Sequence, residues 1–347
     1  MSRTRHARCR TGSDRAQTLP LIVLAMFGVL GMCALAIDVG SWYQQKQALQ
    51  AAADAAALAG ASQLPAGWAA AQGAADHSYL QNGRTSDTVT VSQSSNLAAN
   101  DSVTVTARRQ ASGFFVRLFG ITSVNVSVSS RATVESYTTF SSTGNVMPFA
   151  VMQNQYTLGT SYTIFGDGSS SNNGSISPDI HAGSACATAN GANDLSDTIS
   201  GADIACAISV GDTVETKTGL STGKVSQGLN DRMSGGWKTF DQIVRSDGNG
   251  HYTLLDPTSP QLVVIPVVLN TSGGTTWPTG HSSVRIVGFA WFVITGCGDP
   301  SKLGPCDNSD GKWVNGTFVD LINANTEGTT GAWDPSSNST SEIELTA

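Results

Sequence analysis

Four cysteines and five histidines are the residues of this 347-residue chain that come nearest to a chemical site. No C-x-x-C pair occurs among the four cysteines downstream of residue 61, so zinc binding is not expected. If this part of the chain is exported, the even number of cysteines favours disulfides. Pairing each cysteine with its nearest neighbour predicts Cys186–Cys206 and Cys297–Cys306, although the spacing leaves the connectivity open. The other two, Cys9 and Cys33, lie in a basic tail and in an apolar run.

The enzyme motifs considered are missing or incomplete in the sequence. The histidines are scattered, and neither H-E-x-x-H nor G-x-S-x-G occurs. The segment Gly219–Lys224 resembles a phosphate-binding loop but is one residue short, and Val225 replaces the required Ser or Thr. Asp167–Ser171 fits the metal-ion pattern D-x-S-x-S, yet the residues that follow are poor helix formers and a polar loop is favoured. We therefore expect no catalytic, metal or cofactor site, and a protein that is not an enzyme.

The dominant element of the sequence is an uncharged run of nineteen residues, Leu19–Ile37. As an α-helix it would span ~28 Å, close to the ~30 Å of a bilayer core. Pro20 falls in the first turn, where a missing N–H costs little. The run predicts one transmembrane helix.

Charge is divided unevenly around this run. Five of the 19 basic residues lie within the first fifteen positions against one acid, whereas the whole chain carries a net charge of −7. The positive-inside rule places the N-terminus in the cytoplasm and the bulk of the chain on the other side of the membrane. The acidic balance argues against nucleic-acid binding.

Two forms of processing are open alternatives. Ala34-Leu35-Ala36 satisfies a signal-peptidase pattern, which would leave a chain starting at Ile37, but the apolar run is longer than the usual signal core. Cleavage by a prepilin peptidase after Gly12 would leave a chain starting at Ser13, but Gln17 stands where a glutamate is expected.

Helix-forming residues continue beyond the apolar run. After the interfacial aromatic pair Trp42-Tyr43, the stretch Gln44–Ala61 is rich in Ala, Gln and Leu and has no β-branched residue. One helix is therefore predicted from about Gln17 to Ala59, ending at Gly60. Its alanine-rich part has two alternatives of equal weight, packing against neighbouring helices or packing on its own domain.

Alternating patterns follow the helix. After a short helix predicted over residues 66–80, strands are predicted at 88–92, 102–107 and 124–134, with an apolar turn at 114–119. From residue 137 the chain is rich in Ser, Thr, Gly and Asn, with strands at 161–165, 263–269, 284–295 and 313–322 and helices at 192–200 and 225–233. The predicted fold is α+β, divided into a basic tail (1–18), a transmembrane helix (19–37), a helix with a small antiparallel sheet (38–136) and a mainly-β domain (137–347).

The segment from residue 15 to 61 resembles the TadE/TadG-like family of Flp (tight-adherence) pilus-assembly proteins. The resemblance is carried by Gln17 and Pro20, by the exit sequence Ala36–Gly40 and by Leu49–Gly60, which reads LQAAADAAALAG. It implies a single-pass membrane protein with a pilin-like helix. Two later phrases, residues 208–219 and 227–232, are more weakly similar to TadG-like proteins.

Two function classes follow. The first is a non-enzymatic, membrane-anchored component of Flp/Tad-type pilus assembly or secretion in the bacterial inner membrane, whose partners are the membrane and other pilin-like proteins. Its helix-packing candidates are Asp38, Gln50, Asp54 and Leu58. The alternative is a membrane-tethered binding module for a glycan or surface, which an aromatic patch of the five C-terminal tryptophans would favour. For Asp38 itself, simple hydration at the membrane boundary is the favoured interpretation.

Overall fold

The computed structural model describes residues 14–140, 145–164, 173–176, 192–201, 207–217, 221–248, 251–298, 302–306, 313–321, 328–335 and 341–346. The Cys186–Cys206 pairing and the D-x-S-x-S pattern at 167–171 lie outside these residues, as do residues 219 and 220 of the phosphate-loop-like segment, whose remaining four residues lead into a helix that begins at Thr222.

A single helix, α1 (Asp14–Ser62), contains both the apolar run and the alanine-rich stretch. Its 49 residues make it ~74 Å long. Between residues 20 and 37 almost every side chain is exposed, whereas Leu49, Ala53 and Ala57 are completely buried. Within the described residues this is the one helix long and apolar enough to cross a membrane.

The predicted helix end at Gly60 was wrong. The helix continues to Ser62, and a short 3-10 turn at Leu64–Ala66, which contains Pro65, follows it. Gly60 is instead a packing residue, because a Cβ there would lie 2.9 Å from Val103 Cγ1 and 3.1 Å from Ala75 Cβ.

The first sheet is built from long antiparallel strands that pack on α1. A second helix, α2 (Trp68–Asn82), lies beside α1 and leads into β1 (Thr88–Ser94), β2 (Ser102–Ser112) and β3 (Ser123–Phe140). All three predicted strands are present and longer than expected. Alternate residues of β2 face the helices, so that Val103, Val105 and Ala107 form a core with the alanines of α1.

The far edge of β3 is covered by strands from much later in the chain. They are β7 (Ile208–Ser209), β14 (Gly328–Ala332) and β15 (Ser341–Thr346), and all three pair antiparallel with β3. The first sheet therefore includes residues from both ends of the chain.

Within the described part of the chain, the second sheet has seven strands. They are β4 (Phe149–Met152), β5 (Ser161–Ile164), β6 (Asn173–Ser175), β8 (Thr213–Glu215), β11 (Leu262–Asn270), β12 (Ser283–Cys297) and β13 (Val314–Val319). Their order is β5-β13-β12-β11-β4-β6, with β8 also paired to β12. The pairing of β11 with β4 is parallel and the other pairings are antiparallel.

Both faces of this second sheet are buried. One face packs on α3 (Ala192–Ser200) and α4 (Thr222–Arg232) through Leu195, Val225 and Leu229. The other face packs on β3 and on the segment containing α5 (Phe240–Ile243), β9 (Val244–Ser246) and β10 (Tyr252–Leu254). The continuous apolar runs of β11 and β12 follow from this double burial.

Candidate functional site: the exit of the apolar helix

Asp38 organises the point where α1 leaves its apolar half. Its side chain is completely buried, and its two carboxylate oxygens accept hydrogen bonds from the backbone N–H groups of Phe114, Phe115 and Val116. The shortest N···O distances are 2.6 Å to Phe114, 2.9 Å to Phe115 and 2.8 Å to Val116. The interpretation of Asp38 as a merely hydrated acid was wrong, because its carboxylate accepts hydrogen bonds from three backbone N–H groups of the protein itself.

The two carboxylate oxygens of Asp38 accept the N–H groups at the start of a short turn. Val116–Phe119 forms a 3-10 helix, whose first N–H groups lack partners within the helix. Gly120, at φ 82°, ends the turn in a left-handed conformation, and Ile121 N–H donates to the Val116 carbonyl. Asp38 thus caps from 76 residues away a turn that has no side-chain cap of its own.

The turn that Asp38 caps exposes large apolar side chains. Leu118 and Phe119 are each 83% exposed, and Phe114 is 69% exposed. We call residues 113–121 the apolar loop. At Gly113 the loop packs closely against Val116 and against Trp42 of α1. A Cβ on Gly113 would lie 2.2 Å from Val116 Cγ2 and 3.3 Å from Trp42 Cζ2.

The apolar loop lies beside the exposed half of α1. The two enclose a groove of about 540 Å³, lined on the helix side by residues between Phe27 and Asp38 and on the loop side by residues between Phe115 and Phe119. The sequence predicted a helical turn here but not its exposure. The signal was available in FFVRLF, five apolar residues between two strands of alternating polarity.

The other helix-packing candidates lie on the packed half of α1. Gln50 Nε2 donates to Asp54 Oδ1 at 2.7 Å, and Leu58 packs against the first core. Of the two alternatives for the alanine-rich stretch, packing on its own domain is the one observed. Contacts of Gln50, Asp54 and Leu58 with another chain remain a prediction.

A buried ion pair was missed by the sequence reasoning. Arg109 occupies an inward-facing position of β2, where its Nε and Nη2 donate to the two carboxylate oxygens of Asp87 at 2.7 and 2.6 Å. The Tyr79 hydroxyl donates to the same carboxylate at 2.9 Å. Burial by itself would raise the pKa of Asp87, but the hydrogen bonds from Arg109, the Arg84 backbone and Tyr79 lower it to about 2. Because Tyr79 belongs to α2 and Arg109 to β2, their shared contact with Asp87 joins α2 to the sheet.

In the second sheet, Cys297 and Cys306 form the predicted disulfide. His251 Nδ1 lies 2.8 Å from Asp320 Oδ2, and this hydrogen bond raises the pKa of His251. Among the described residues, no group of three or more His, Cys, Asp or Glu side chains is arranged to hold a metal ion.

The C-terminal tryptophans are scattered. Trp291 is buried in one core of the second sheet, with Trp277 at its margin; Trp237 packs against the other core, and Trp333 packs against the first sheet. They do not form one exposed aromatic patch.

Together the fold and the site define a class: a mixed α+β protein carried on a single N-terminal helix, one half of which is exposed and apolar and the other half packed on an antiparallel sheet. Within that class, residues 16–63 match the family model described as Tad, Putative Flp pilus-assembly TadE/G-like. The matched residues coincide with α1, and the match supports a role as a component of pilus assembly. No curated protein and no solved structure gave a significant match.

Proposed function

We propose that this protein is a non-enzymatic, single-pass component of a Flp/Tad-type pilus-assembly or secretion apparatus in the bacterial inner membrane. The observation that carries the proposal is the coincidence of the family match at residues 16–63 with a continuous helix of two different surfaces. Its apolar half anchors the chain, and its alanine-rich half holds the folded part against the membrane exit.

Charge supports the orientation. The basic residues before the span stay in the cytoplasm, and the two sheets face the periplasm or the cell exterior. A disulfide between Cys297 and Cys306 is consistent with an oxidising compartment. Partners are other pilin-like or pilus-assembly proteins, which meet this chain through its N-terminal helix.

The distribution of tryptophans supports this function over the tethered binding module. A glycan- or surface-binding module commonly presents exposed aromatic side chains together, whereas four of the five C-terminal tryptophans pack in or against separate cores.

A complementation experiment tests the proposal. In a piliated host that lacks its own copy, the wild-type chain should restore sheared pilus yield and fractionate with the inner membrane. The double variant Leu24→Arg/Met32→Arg should restore neither pilus yield nor membrane fractionation, because inserting each arginine at the centre of a span costs ~3 kcal/mol. Leu80→Arg/Leu97→Arg is the matched control, since these leucines are also exposed but lie outside the span.

Two outcomes would overturn the proposal. Wild-type protein in the soluble fraction would remove the anchor, and unchanged pilus yield without the protein would remove the assembly role. Intact mass of the recovered protein distinguishes the full-length chain from forms that start at Ser13 or Ile37.

A further inference from the structure

We infer that the apolar loop, residues 113–121, is a second membrane-contacting element, which inserts into the lipid interface beside the helix and seats acyl chains in the groove between them. This inference rests on the proposed anchoring of α1 in a membrane. It adds a lipid-binding site to what is otherwise a single-helix anchor.

The first support is continuity of surface. The exposed Leu118 and Phe119 face the same groove as the helix residues between Phe27 and Ile37, which are exposed as well. Phe27 lies eleven residues before Asp38, so the groove extends ~16 Å along the helix axis. If the helix is in the bilayer, the loop beside it meets lipid and not bulk water.

The second support is the hydrogen bonding of the loop backbone. Irregular backbone is costly near lipid unless its N–H and C=O groups are satisfied. Asp38 accepts the three N–H groups that begin the turn, while Leu118 N–H and Ile121 N–H donate to the carbonyls of Phe115 and Val116. The loop therefore has the internal hydrogen bonding that an interfacial position requires.

The third support is charge. Arg117 is the only charged residue between Gly113 and Ser123, and it is exposed on the same turn as Leu118 and Phe119. A cation flanked by large apolar side chains suits the boundary between anionic phosphates and acyl chains, ~5–10 Å into the membrane. The lipid chemistry implied is a glycerophospholipid with an anionic headgroup.

A depth measurement on the full chain tests the inference. An environment-sensitive fluorescent amino acid replaces one residue at a time, and the protein is reconstituted into phosphatidylethanolamine/phosphatidylglycerol vesicles with brominated acyl chains. The loop position is Phe119. Leu24, which does not line the groove, reports on the helix. Leu97 is the matched control, an exposed leucine in the turn at the other end of β2, ~36 Å from the loop.

We expect a blue shift and bromine quenching at positions 119 and 24, and neither at position 97. Quenching at 24 without quenching at 119 overturns the inference and leaves the anchor intact. A blue shift at 119 without quenching means that protein and not lipid covers the loop, and also overturns the inference. Absence of quenching at 24 contradicts the anchor and the inference together. Arg117→Gln should shift the loop signal most in vesicles rich in phosphatidylglycerol; equal shifts in neutral vesicles would remove the headgroup contact.

Discussion

At the residue scale, Asp38 connects two distant parts of the chain, because its carboxylate accepts hydrogen bonds from a turn 76 residues away. Asp38→Ala would leave the backbone N–H groups of Phe114, Phe115 and Val116 without their acceptor. We expect a lower free energy of unfolding, because the lost hydrogen bonds are made to a charged acceptor, and faster hydrogen exchange at residues 114–116. Asp54→Ala is the control, since Asp54 is a partly exposed acid of the same helix bonded to Gln50. Equal effects of the two variants would mean that Asp38 has no special structural role.

The Asp87–Arg109 pair gives a pH dependence with a defined sign. The folded-state pKa of Asp87, about 2, lies below the unfolded value of about 3.9. Its stabilisation is present above the unfolded pKa and is lost as the pH falls through the folded one. Asp87→Asn should therefore be less stable at neutral pH and should show a shallower loss of stability on acidification. Urea unfolding as a function of pH measures both, and an unchanged acid slope would contradict the assignment.

The pH dependence of stability that His251 contributes has the opposite sign. Its pKa is raised by Asp320, so its contribution to stability is present below the unfolded pKa of about 6.5 and is lost as the pH rises through the folded value. His251→Gln should flatten the stability profile above about pH 6.5, the unfolded pKa of a histidine. His281→Gln is the control variant, because His281 and its partner Glu215 are mostly exposed. The same profile for both variants would refute a role for the partly buried pair of His251 and Asp320.

At the element scale, Gly60 fixes how closely α1 approaches β2 and α2. Gly60→Leu should cost about 1–3 kcal/mol through overpacking against Val103 and Ala75. Gly73 in α2 is the matched comparison, because a Cβ there meets nothing within 4 Å. Gly73→Ala should stabilise by about 1 kcal/mol through helix propensity. Thermal unfolding in detergent measures both; stabilisation by Gly60→Leu would show that the two helices can separate freely.

At the scale of the whole molecule, the first sheet includes the C-terminal strand β15. Ile343 of β15 is buried against residues of the N-terminal core, and β15 pairs with β3 over six residues. Ile343→Ala should destabilise the first sheet by about 2–3 kcal/mol, whereas Leu345→Ala, whose side chain is 43% exposed, should change stability by less than about 0.5 kcal/mol. Hydrogen exchange of β3 residues 131–136 measures the effect, and exchange unaffected by Ile343→Ala would show that the C-terminal strand is dispensable.

Much of the secondary structure was predictable because its signals are local. The uncharged run, the helix-forming alanine stretch, the alternating strands of the first sheet and the α3 helix each follow from residue type and spacing. The Cys297–Cys306 pairing was also predictable, since its partners are only nine residues apart. The family resemblance could be seen for the same reason, because it lies within one helix.

The sequence by itself therefore determined a single apolar helix, an adjoining antiparallel sheet and a β-rich remainder. Tertiary structure alone decided that Asp38 is buried, that Gly60 lies inside the helix, that Arg109 faces inward to Asp87 and that the last strand completes the first sheet. Each of these depends on a partner distant in sequence, and residue periodicity reports which side of an element is apolar but not what that side meets. The exposure of Leu118 and Phe119 beside the helix is of the same kind, since only the folded chain brings the two surfaces together.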